Sequence, residues 1–184
     1  MESAAERQHL HPLLAGRVSP YRFDVGHVLT AAQSRLLLEA AGHAPSAGNS
    51  QPWGFRPALR GDPVHRLIVG HLAPSSARWA PDASALIVTA ARRAVGDMPY
   101  SDFADYDLGQ AVAHLTIQAE AMGLACHQFR AFDLGGLTDD LRPAPGWAIM
   151  SVVAVGRSVD ETTATPDRMA IDELVTAAWE PDRA

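Results

Sequence analysis

A chain of 184 residues, 47% hydrophobic and 20% charged, is long enough for one domain that buries about 70% of its unfolded surface without a covalent staple. Its formal net charge of -6 argues against a nucleic-acid or anionic-membrane partner, which would need a basic face. Cys126 is the single cysteine, which excludes an intrachain disulfide and every CxxC metal or redox motif.

In chain order, residues 1 to about 8 read as a loose, flexible polar start without the apolar core of a secretion signal. Leu10, Leu13 and Leu14 give one apolar face of a short helix that ends at Gly16. Thr30 with Gln33 forms a capping-box pattern, so the run Ala31 to Ala41 predicts a helix stopped by Gly42. Trp53 to Leu59 and Arg66 to Leu72 flank Gly61-Asp62-Pro63 and predict a β-hairpin. Ala85 to Ala91 is the most apolar run, far short of a membrane span, and predicts a strand buried on both faces. Pro99 to Asp105 reads as a linker. A cytoplasmic location is expected.

Asp107 to Met122 predicts the main helix: Leu108, Ala111, Val112, Leu115, Ala119 and Met122 recur at helical spacing, opposite a polar stripe of Asp107, Gln110, His114 and Gln118. Gly123 is placed to terminate it. A strand is expected over Ala125 to Phe129, then a loop through Gly135-Gly136 and a short helix from Thr138 to Leu141. Trp147 to Val155 predicts a strong strand, residues 160 to 167 a polar loop, and Ile171 to Trp179 a last helix. The fold class expected is α+β, a central mixed or antiparallel sheet with helices packed on it, in one domain over residues 1–184.

Conventional catalytic constellations are missing. The eight histidines show no HExxH pattern or ligand-spaced partner, so no metal is expected. Neither GxSxG nor a GxGxxG after a strand occurs. Cys126 sits in an apolar stretch and reads as packing, since a reactive thiolate needs an electropositive, exposed place. One stretch does stand out. Residues 44 to 53 read Ala-Pro-Ser-Ala-Gly-Asn-Ser-Gln-Pro-Trp: two prolines shape a loop, and uncharged donors and acceptors suit the edge of a flat, polar heterocycle.

That loop resembles the signature of the FMN-dependent nitroreductase family, Ala-Pro-Ser-x-x-Asn-x-Gln-Pro-Trp. Three more stretches resemble the family in the expected order. They are Arg17-Val18-Ser19-Pro20-Tyr21-Arg22-Phe23, Ala121-Met122-Gly123-Leu124 with the strand and loop after it, and Pro166-Asp167-Arg168-Met169. The resemblance implies a divergent, short member with a three-layer nitroreductase-like fold and FMN as cofactor. It assigns Arg17, Ser19, Tyr21 and Arg168 to the FMN phosphate, Pro45, Ser46, Asn49 and Gln51 to the flavin edge, and Arg130 and Ala131 to the ring. No catalytic side chain and no metal is required, because the flavin carries the chemistry.

The activity implied is hydride transfer from NAD(P)H through FMN to a nitroaromatic, quinone or similar acceptor, in a homodimer with the flavin at the interface. Trp79, Trp147 and Trp179 would supply apolar area for that interface. Tyr21 stands where a second basic residue is common, Pro166 where lysine is, and Arg130-Ala131 replaces a small or acidic residue and a glycine. Residues 91 to 107 form a short segment for the family, which implies an open or differently roofed pocket. Two alternatives stay open. One is a flavin-dependent oxidase or dehydrogenase of a small molecule or peptide; the other is a non-catalytic FMN-binding or sequestering protein.

Overall fold

The computed structural model describes residues 10–159, 167–176 and 178. Its centre is a four-stranded sheet in the order β1 (Trp53–Leu59), β2 (Ala85–Arg92), β6 (Trp147–Gly156), β5 (Ala125–Phe129), with every neighbouring pair antiparallel. Between β2 and β6 in the chain, β3 (Ala94–Val95) and β4 (Met98–Pro99) make a separate small hairpin. The near-continuous apolar runs of β2 and β6 follow from helices on both faces. On one face Ala85, Ile87, Val153 and Val155 pack under α2 (Ala31–Gly42) and α4 (Ala104–Ala121), through Leu37, Leu108 and Leu115. On the other, Leu86, Val88, Val152 and Ala154 meet Ile68 of α3 (Pro63–Gly70) and Leu137 of α5 (Leu134–Leu141).

The local signals explain the boundaries. Thr30 accepts from the Gln33 N–H while the Gln33 side chain accepts from the Thr30 N–H, so the capping box that starts α2 is complete. A short α1 (Pro12–Ala15) ends at Gly16. Gly123, with φ of +71°, lets the chain leave α4 and enter β5.

Four expectations are corrected. Residues 63–70 form α3 rather than the second arm of a hairpin: Pro63 occupies the first helical turn, and Val64, Leu67 and Ile68 fall on one side at helical spacing. The Gly135-Gly136 pair lies inside α5, capped by the Asp133 carboxylate on the Gly136 N–H at 3.1 Å. A Cβ at Gly136 would stand 2.8 Å from the His71 ring, so the glycine allows close packing rather than a turn. Asp107 belongs to no solvent stripe, being only 2% exposed. Trp79 is a core residue at 7% exposure, packed among aromatic side chains, and offers no surface to a partner.

At the C-terminal end the chain forms α6 (Ile171–Thr176), whose Ile171, Leu174 and Val175 are exposed. The expected start at residues 1–8, Pro166, Trp179 and most of the 160–167 loop lie outside the described residues. Among the described residues no helix is long and apolar enough to cross a membrane.

Candidate functional site

β6 is five residues longer than its pairing with β5, which covers Val152–Gly156 only, so Trp147–Ser151 runs on beside the α4 face without β5. There β6 also bulges. Thr89 pairs with Ser151 and Ala90 with Ile149, leaving Met150 unpaired. A bulge of this kind re-aims side chains, and here Met150 and Ser151 both line one cavity against α4. The cavity measures about 700 Å³. Leu108, Val112 and Met150 give it apolar walls, while Gly109 and Ala113 contribute little bulk.

Arg17 and Ser19 line the same cavity, with the guanidinium donating to the Ser19 hydroxyl at 3.3 Å. Behind them, burial holds the Glu120 carboxyl above the usual carboxylate range and the Arg17 charge pulls it partly back. Toward the start of α4, Arg93 pairs with Asp105 at 2.8 Å and donates to the Met150 sulfur at 2.9 Å. Asp105 and Thr116, both on the wall, stand about 16 Å apart along the helix axis at 1.5 Å per residue.

The floor is polar at two places. Gln128 donates through Nε2 to the Thr116 hydroxyl at 2.6 Å, and Ser151 shares a 2.8 Å hydrogen bond with the buried Thr89 hydroxyl. Gln128, Thr116, Met150 and Ser151 belong to no motif. Their only trace in the sequence is a polar residue, or an oversized one, within an otherwise apolar strand or helix face. Cys126 lies just beneath, fully buried; desolvation, with the Glu120 charge adding, pushes its thiol up to about 12.

The signature loop sits at the start of α4, beside the Asp105 end of the cavity wall. Asp107 accepts the Ala47 N–H at 3.1 Å, Ser46 Oγ accepts the Gln51 N–H at 3.0 Å, and the Tyr100 hydroxyl donates to the Ser50 carbonyl at 3.2 Å. Gly48, Asn49 and Gln51 all take positive φ, at 58°, 54° and 48°. Pro45, Asn49 and Gln51 are exposed, and Gln51 Nε2 donates to Asn49 Oδ1 at 3.3 Å. None of these loop residues lines the cavity that holds Arg17 and Ser19.

Tyr21 goes elsewhere. The chain crosses the β5 edge between Ser19 and Tyr21, where the Pro20 carbonyl accepts from His127 Nδ1 at 2.9 Å. Tyr21 then packs edge-on against His127, at 4.6 Å between ring centroids, and against Trp79, on the sheet face opposite to Arg17. Burial keeps His127 below the usual histidine range, with the Pro20 bond acting the other way. Arg130 is exposed. The Ala131 carbonyl accepts from the Ala73 N–H at 3.0 Å and from the Ser76 hydroxyl, which turns this loop toward the α3 side. Arg168 is exposed ahead of α6. One chain therefore brings Arg17 and Ser19 together, and groups Pro45, Ser46, Asn49 and Gln51 separately.

No protein-family model matches the chain. Protein DrgA of Synechocystis sp. is 28% identical over 200 residues, 89% of this chain and 94% of the relative. Among solved structures, an oxidoreductase containing FMN is 28% identical with a TM-score of 0.78, over 84% of this chain and 79% of that one. A nitroreductase family protein from Streptococcus pneumoniae aligns over 88% and 96% of the two chains, at 18% identity and a TM-score of 0.75. A Desulfovibrio desulfuricans protein, described as a candidate nitroreductase and solved with FMN, aligns over 95% and 100%, at 22% identity and a TM-score of 0.75. This chain therefore has the fold of the nitroreductase structures it matches, and its 44–53 loop and the Arg17–Phe23 and Ala121–Leu124 stretches resemble that family's motifs in the same order.

Proposed function

We propose that the protein is an FMN-dependent oxidoreductase that oxidises NAD(P)H and reduces a nitroaromatic, a quinone or a similar acceptor. For a quinone the overall reaction is NAD(P)H + H⁺ + quinone giving NAD(P)⁺ + quinol. The observation that carries the reading is the Arg17–Ser19 pair at one end of an apolar-walled cavity of about 700 Å³ on this fold. The size falls within the roughly 300–1,000 Å³ of cofactor pockets. A guanidinium beside a hydroxyl suits a phosphate of nearly two negative charges, and apolar walls suit a planar ring. The donor set therefore fits FMN.

FMN, when bound, supplies the two-electron redox chemistry. The chain's own residues bind and orient: Arg17 and Ser19 hold the phosphate, and Leu108, Val112 and Met150 keep water from the ring. Arg168 is assigned a second contact to the phosphate, and Arg130 and Ala131 contacts beside the ring. Tyr21, packed on Trp79 and His127, has no part in this reading.

The protein acts as a homodimer in which the loop with Pro45, Ser46, Asn49 and Gln51 completes the flavin site of the second copy. Two observations support this. The loop and the Arg17–Ser19 pair do not share a cavity within one chain. In addition, Ile171 and Val175 of α6, 72% and 64% exposed, need a covering surface. Residues 1–184 act as one domain in the cytoplasm, where NAD(P)H is supplied.

Purified protein should show a flavin absorption spectrum that NADH or NADPH bleaches without oxygen and a quinone restores, and should elute at twice the chain mass. A colourless protein that binds no added FMN would sink the proposal. Bound flavin inert toward both pyridine nucleotides would replace turnover with FMN sequestration.

A further inference from the structure

We propose that Gln128 is a cofactor-binding residue that presents a hydrogen-bond acceptor to the cavity, and that Thr116 is the positioning residue that fixes its direction. The inference rests on the cavity along α4 being the FMN site.

A glutamine amide can usually turn over by 180°, exchanging its NH₂ for its oxygen. Here it cannot. The Thr116 hydroxyl has a single proton, and it goes to the Val112 carbonyl at 2.8 Å, a group that can only accept. Toward Gln128, at 2.6 Å, the Thr116 oxygen must therefore accept, so the Gln128 nitrogen faces the threonine. At 3% exposure, Thr116 has no water to exchange these partners for.

With its nitrogen held, Gln128 offers Oε1 to a ligand in the cavity it lines. An acceptor there selects a neutral donor, an O–H or N–H, and repels an anion. FMN carries both kinds of group, in its ribityl hydroxyls, its ring imide and its phosphate. The preset amide thus reinforces the polarity set by Arg17: phosphate at the guanidinium, donors at Gln128. Thr116 lies in helix α4 and Gln128 in strand β5, so this alignment is built into the helix–sheet packing rather than a loop.

The test is a double-mutant cycle on the full-length chain. FMN and riboflavin dissociation constants are measured by flavin fluorescence, alongside Tm without flavin. Thr116→Val keeps the shape but frees the amide to turn, and should weaken FMN and riboflavin alike by about tenfold, while Thr116→Ser retains affinity. Gln128→Leu should weaken both at least as much, and the double variant no more than Gln128→Leu alone. Arg17→Ala should weaken FMN but not riboflavin. If Arg17→Ala weakens FMN while Thr116→Val leaves it unchanged, or the two floor variants are additive, the positioning role is overturned and the site stands. If Arg17→Ala leaves FMN binding unchanged, the site itself is wrong and the inference falls with it.

Discussion

Glu120 carries an unusual burden for a residue in the last turn of a helix. Its Oε1 is buried with no hydrogen-bond partner among the described residues, and burial raises its pKa against the pull of Arg17. A carboxyl whose folded pKa lies above its unfolded one is destabilising when ionised, so its cost is full above the folded pKa, declines as pH falls through that value and is gone below the unfolded pKa. Glu120→Gln should therefore raise the urea midpoint at pH 7.5 and leave it nearly unchanged at pH 4. An equal gain at both values would mean that the charge is not the cause. Cys126, directly below, is the opposite kind of residue, inert rather than poised. Burial pushes its pKa up to about 12, so it stays a thiol at neutral pH, and its side chain is fully buried. A maleimide should label it only after the protein is unfolded; fast labelling of the native chain would show that the α4–β5 contact opens.

At the scale of elements, the 46–51 loop concentrates backbone strain. Asparagine tolerates the left-handed region, but glutamine does so poorly, and Gln51 is held there at φ 48° by the bonds from Ser46 and the anchors at Asp107 and Tyr100. Gln51→Gly and Gln51→Ala lose the same side chain and differ only in how easily the backbone takes positive φ. The glycine variant should be more stable by about 1 kcal/mol, read from urea midpoints; equal midpoints would rule out stored strain.

The loop also shows where sequence is informative. Its residues are spelled out in the Ala-Pro-Ser motif, yet their separation from Arg17 depends on the Asp107 carboxylate turning inward to hold the Ala47 N–H, a tertiary fact. The helix α4 was legible because its periodicity is long, and the strands β2 and β6 because each is a near-continuous apolar run. α3 was not, because Pro63 marks a turn and a first helical residue with the same letter. Gln128 and Thr116 were invisible for a simpler reason: each is ordinary alone, and only the packing of α4 on β5 makes them a pair.

For the whole molecule, three histidines set the response to acid. His27 donates from Nδ1 to Ser84 Oγ at 2.8 Å, since the Ser84 proton goes to the His27 carbonyl. His127 likewise donates from Nδ1 to Pro20. His65, 4% exposed, has no partner for Nε2 among the described residues. Burial is the main cause that lowers the pKa of all three, with Arg157 adding to it at His27 and Arg60 at His65. Each is neutral in the fold where the unfolded chain, with a pKa near 6.5, begins to bind a proton. The unfolded state thus holds more protons over that window, and stability rises with pH across it and is lost as pH falls from about 6.5 toward the lowered values. Glu120 acts with the opposite sign, but only from its raised pKa down to the ordinary carboxylate range. The urea midpoint should accordingly be flat above about pH 7 and fall steadily toward pH 5.5. His65→Leu removes one of the three proton differences and fills an apolar site, so its midpoint should fall less steeply over the same interval. A wild-type midpoint that rises as pH drops from 7 to 5.5, or a His65→Leu slope equal to wild type, would show that the acid response is set elsewhere.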